Sequence, residues 1–119
     1  MLEEYMELNR KPTKEERLLI SYLIDLSSMS FSSDWEEKIT VRSMSDGGMG
    51  GLVIFLGEES LQDRQFGEQI SEYYFLDQDG VTVIASLNID NKGSLYELDI
   101  WKTDFSKLIK FPDLGGSGG

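Results

Sequence analysis

Residues 81–103 read VTVIASLNIDNKGSLYELDIWKT, and this stretch decides the fold. Two runs rich in β-branched, aliphatic and aromatic residues alternate with polar ones on either side of Asp90-Asn91-Lys92-Gly93. A connection that short joins antiparallel neighbours only. Setting Ile89 opposite Ser94 puts Leu87 beside Tyr96, Ala85 beside Leu98 and Val83 beside Ile100, one apolar sheet face. The opposite face then carries Ile84, Ser86, Asn88, Glu97, Asp99 and Trp101.

Working upstream, Asp77-Gln78-Asp79-Gly80 reads as a type I turn with Gly80 in the left-handed region. It joins a strand at residues 69–76, whose Tyr73 and Phe75 fall on the apolar face and whose Glu72 and Tyr74 fall on the other. Residues 38–43 and 52–56 predict two more strands, and a polar loop follows at 57–63. Nearer the N-terminus, Thr13 and Glu16 form a capping box. Leu18, Leu19, Tyr22, Leu23 and Leu26 recur behind it at helical spacing, with Ile20 and Ile24 widening the stripe, and residues 27–30 end the helix. Residues 105–111 predict a last helical turn before Pro112. The class is α+β: an N-terminal helix packed on one face of an antiparallel β-meander of about five strands. Residues 1–114 make a single domain, and Gly115-Gly116-Ser117-Gly118-Gly119 reads as a linker or tag remnant.

The chain has 119 residues, of which 39% are hydrophobic, enough for a core. Acidic residues number 22 against 11 basic, a net charge of −11. That balance disfavours nucleic acid, whose phosphates need lysine and arginine clusters, and favours a basic protein partner. Histidine and cysteine are absent. The usual general base, the usual zinc ligands and disulfides go with them. No metal and no cofactor is expected. No run approaches a membrane span and the first residues lack a signal-peptide pattern, so a cytoplasmic protein is expected.

Two motifs invite chemistry and fail. Residues 46–51, DGGMGG, lack the Lys-Ser/Thr of a phosphate loop, and no helix follows. Aligning Gly80 with the glycine of a calcium loop puts Phe75 and Ser86 at ligand positions. Glu97 and Asp99 share a strand face, and paired carboxylates can serve hydrolysis, but no third group is clustered with them in sequence.

The most specific stretch, Leu87-Asn88-x-Asp90-x-x-Gly93-x-Leu95-Tyr96-Glu97-Leu98-Asp99-Ile100-Trp101-Lys102-x-Asp104-Phe105-Ser106-x-Leu108-Ile109, resembles a family of small bacterial proteins that carries only a domain-of-unknown-function label. Residues 46–52, Arg64-x-Phe66-Gly67, Asp77-x-Asp79-Gly80-Val81 and Thr13-x-Glu15-Glu16-Arg17-x-Leu19-Ile20 fit the same pattern, so the resemblance spans about residues 12–112. It implies no activity or site. By analogy, small acidic proteins of this kind look like the immunity partners of bacterial toxins.

The expected function is therefore a non-catalytic acidic binding module, an immunity protein or antitoxin that neutralises a toxin by direct contact. Its expected contact residues are Glu72, Tyr74, Glu97, Asp99, Trp101 and Asp104, aromatic rings set among carboxylates. Two alternatives stand beside it. One is an acidic nucleic-acid mimic that blocks a DNA-binding protein. The other is a small enzyme or ligand-binding protein working through Glu97, Asp99 and Asp104. Trp101 has two readings of its own: an anchor on the free face, or core beneath residues 105–111.

Overall fold

The computed structural model describes residues 9–57 and 63–114. The expected linker at 115–119, the first eight residues and most of the polar loop lie outside the described residues. Helix α1, Lys14–Leu26, starts at the capping box: Thr13 Oγ1 accepts from the Glu16 N–H at 3.1 Å, and Glu16 accepts from the Thr13 N–H at 2.8 Å. Ser27 closes it. A single turn, α2 (Trp35–Lys38), follows where coil or strand was expected and buries Trp35. Then come β1 (Ile39–Ser43), β2 (Leu52–Leu56), β3 (Phe66–Leu76), β4 (Thr82–Asp90) and β5 (Leu95–Lys102).

The α+β class and five antiparallel strands are as expected, but the sheet is not a plain meander. Its order is β1-β2-β5-β4-β3. The β1–β2 hairpin docks on β5, and the chain then crosses to the far edge before running back through β3, β4 and β5. Helix α1 covers one face. Leu19, Ile20, Leu23 and Ile24 pack there on Val41, Ile54, Phe75, Val83, Ala85, Leu87, Leu98 and Ile100. Ser71 Oγ donates to the Leu23 carbonyl at 2.6 Å, and the Tyr22 and Tyr73 rings meet edge to face, which pins the helix over β3.

The β4–β5 register differs from the expected one by two residues. Val83 pairs with Lys102, Ala85 with Ile100 and Leu87 with Leu98, until a bulge sets Ile89 against Leu95. The Asp90 carboxylate causes the longer turn. Its Oδ1 accepts the N–H groups of Lys92 and Ser94, and Gly93 takes φ +88°. A slip of two keeps the side chains of Val83 to Asn88 and of Glu97 to Lys102 on their expected faces; beyond the bulge Leu95 enters the core, and Tyr96, expected on the apolar face, meets Arg64 instead. The final helical turn at 105–111 does not form. That segment has no regular secondary structure and is held instead by Asp77, in the turn between β3 and β4, and by Lys102 of β5.

The buried Lys102–Asp77 pair does that holding, and a second buried charge, Arg64, closes the sheet at its other end. The Lys102 side chain is 0% exposed, and its Nζ donates to Asp77 Oδ2 at 2.8 Å, to Asp79 Oδ2 at 2.7 Å and to the Lys107 carbonyl at 3.1 Å. Asp77 in turn accepts from the backbone N–H groups of Gln78, Ile109 and Lys110. At the other end β2 leaves β5 after Val53. Arg64 bridges the gap, donating to the carbonyls of Ile54 and Leu95 and to Asp90 Oδ2.

Candidate functional site

Alternation along the three long strands gathers five of the six expected contact residues on the sheet face away from α1. Tyr74, Ile84 and Trp101 form one cross-strand row, and Glu72, Ser86 and Asp99 form the next. Gln69, Asn88 and Glu97 form a third. Asp104 is the exception. It lies past the end of β5, where its Oδ1 accepts from the N–H and the hydroxyl of Ser106. Those bonds hold its carboxyl below the usual range. It therefore shapes a turn and does not join Glu97 and Asp99, so the three carboxylates proposed for an enzyme do not converge. Among the described residues, no three His, Cys, Asp or Glu side chains are grouped to hold a metal ion.

Trp101 is 50% exposed. It is not core; the tryptophan that fills the core is Trp35. From the segment after β5, the ring of Phe105 lies beside Trp101. Phe105, 69% exposed, sits with its centroid 6.0 Å from that of Trp101. Phe105 is also the one non-glycine residue among those described with positive φ, at 64°. A bulky side chain in that region costs roughly 1–2 kcal/mol. The fold spends strain here to set an exposed ring beside an exposed ring. Tyr74 and Leu76, 59% and 67% exposed, extend the apolar area along the edge strand. Phe105 and Leu76 were missed from the sequence; the alternation of β3 places Leu76 on this face, whereas nothing local signals the backbone of Phe105.

The acidic part of the face is held in order by Asn88. Its Nδ2 lies 3.4 Å from Glu97 Oε1 and 3.2 Å from Asp99 Oδ2. Its Oδ1 is buried and has no partner among the described residues. Partial burial, then the neighbouring charge of Asp99, raises the Glu97 carboxyl above its ordinary value. Glu72 likewise raises the Tyr74 phenol. The only basic residue in β3, β4 and β5 is Lys102, which is already committed to Asp77 and Asp79. Arg64, at the β2–β5 seam, offsets Glu97 only in part, so negative charge prevails on the face of these three strands.

This imbalance has a measurable consequence. A carboxyl raised in the folded state opposes folding when ionised and ceases to do so as pH falls through its folded value. Glu97→Gln imitates the protonated group. At neutral pH and low salt it should stabilise the free protein by about 0.5 kcal/mol, read as a melting temperature about 2–4 °C higher. The gain should vanish in acid, where wild-type Glu97 is itself protonated. A lower melting temperature at neutral pH would show that Glu97 supports the fold.

The glycine loop between β1 and β2 forms the rim of the face. Gly47, Gly48 and Gly50 take φ between +75° and +101°, and the loop wraps the carboxylate of Asp46, which accepts from the N–H groups of Met49 and Gly51. The loop thus encloses an anion of its own, which is why it resembles a phosphate cradle without being one. Between Met44 and Met49 on this rim and Gln69, Ser86, Asp99 and Trp101 on the face lies a hollow of about 390 Å³.

The family model described as "Domain of unknown function (DUF6984)" matches residues 9–112, and the chain belongs to that family. No curated protein and no solved structure matches it. Among the described residues, no helix is long and apolar enough to cross a membrane.

Proposed function

We propose that this member of the family is a non-catalytic binding module, an immunity protein or antitoxin that acts in the cytoplasm by covering a basic surface of a bacterial toxin. One observation carries the reading: the uncovered face of β3–β5 combines exposed Tyr74, Leu76, Trp101 and Phe105 with Glu72, Glu97 and Asp99. Large rings anchor interfaces, and fixed charges beside them steer the encounter and set its register. A strained aromatic and an unpaired carboxylate cluster cost the free chain stability, as groups kept for association do. The distribution of acid supports this reading over a nucleic-acid mimic. Glu16, Asp77 and Asp90 are buried in internal pairs, so the carboxylates do not run over one surface as phosphates would.

The test is the association of the purified chain with products of the reading frames that flank its gene. A basic partner should bind, with an association rate that falls by at least about tenfold from low to high salt. Trp101→Ala should leave the melting temperature within about 3 °C, because the ring is half exposed, and should speed dissociation by at least tenfold, as loss of about 2 kcal/mol or more at an anchor does. Tight binding unaffected by both salt and Trp101→Ala would place the contact elsewhere.

A further inference from the structure

We propose that the hollow between the glycine loop and β4–β5 is a socket for one arginine side chain of the basic partner, an inference that rests on the binding reading above. Its parts suit that group. Met44 and Met49 offer flexible apolar walls to an aliphatic stem. Trp101 offers a ring to a flat cation, and Asp99 a carboxylate to its N–H fork. Asp46, the other acid on the lining, is bonded within its own loop, so Asp99 is the charge free to pair. Asp99 has no cationic partner among the described residues; it accepts from the Asn88 amide, which fixes its position.

The same sheet face already binds one arginine in this way. Arg64 lies 4.8 Å over the Tyr96 ring and 5.7 Å over Phe55 while its Nε donates to Asp90 at 2.9 Å. Trp101 and Asp99 repeat the pairing of ring and carboxylate, here without a cation from among the described residues. Arginine is favoured over lysine because a planar, weakly hydrated guanidinium can stack and pair at once.

The experiment is a titration of the full chain, followed by NMR, with N-acetyl-arginine methylamide, its neutral isostere N-acetyl-citrulline methylamide and N-acetyl-lysine methylamide. Arginine should give saturable shifts confined to the Trp101 indole and the Met44 and Met49 methyl groups. Lysine should bind more weakly, and citrulline at least about tenfold more weakly. Asp99→Asn and Trp101→Leu, each checked for an unchanged melt, should abolish the shifts. Equal shifts from arginine and citrulline would overturn the proposal. So would shifts spread over all acidic residues, no shifts at millimolar probe, or a second copy of the chain occupying the hollow. No partner is needed, so this result is separate from the binding reading. A partner that binds Asp99→Asn as tightly as wild type removes the socket and leaves the module.

Discussion

Asp77→Ala should lower stability by about 3–5 kcal/mol, the usual loss when one partner of a buried ion pair is removed. In a domain of this size that is a fall in melting temperature of more than about 10 °C. The reason is the number of groups that converge on one carboxylate. Its removal strips the fully buried Lys102 ammonium of a partner at 2.8 Å and leaves the N–H groups of Ile109 and Lys110 without an acceptor. Asp79 still reaches Lys102, but from the rim. Hydrogen exchange should therefore rise first in residues 103–114, before the sheet itself opens. The pH dependence has a definite sign. Burial alone would raise the Asp77 carboxyl, but Lys102 and the backbone N–H groups outweigh it and bring it down to about 2. Its contribution is thus complete above the ordinary aspartate value near 3.8 and is lost as pH falls toward 2. Acid unfolding of the wild type should be steep in that window, and shallower in Asp77→Ala. A small change in melting temperature would mean that the C-terminal segment is held by its apolar contacts alone.

Arg64→Ala should cost as much, for a different reason. Ladder bonding between β2 and β5 covers only Leu52–Leu98 and Val53–Glu97, and Arg64 joins the strands where it stops. Its loss leaves the 1%-exposed Asp90 side chain without its cation and uncovers the Phe55 and Tyr96 rings. About 3–5 kcal/mol should follow. Arg64→Lys should recover little of it, since an ammonium cannot span a carboxylate and two carbonyls in one plane. Full recovery by lysine, measured in the same denaturant titration, would reduce the role of Arg64 to charge alone.

These two residues also show where reading the chain stops. The capping box at Thr13 and Glu16, the helix, and the strands on both sides of residues 90–93 are local patterns, and each stands in the structure, although the buried stripe of the helix is Leu19, Ile20, Leu23 and Ile24 and the expected Leu26 is half exposed. The two sheet faces were legible because alternation survives a register error of two. The pairs Asp77–Lys102 and Arg64–Asp90 were not. Their members lie 25 and 26 residues apart, and meet only because of the strand order and the crossover from β2 to β3. Asp104 was counted among the contact residues although strand alternation beyond Trp101 would set it on the other face, and the structure puts it in a turn that its own carboxylate makes. Trp101 could be read as either anchor or core from sequence, since ring size argues for burial and alternation argues for the free face. The structure leaves it half exposed, with Trp35 filling the core.

The central claim is that the uncovered face of β3–β5 is the surface by which this chain neutralises a partner. Growth rescue tests it most directly. A toxic product of a flanking reading frame is expressed in a bacterial host together with wild-type chain or with Trp101→Ala carrying Asp99→Lys. The account predicts that the wild type restores growth and the double variant does not, although both accumulate and melt at similar temperatures. Equal rescue by the double variant, or no toxic product relieved by the wild type, would contradict it.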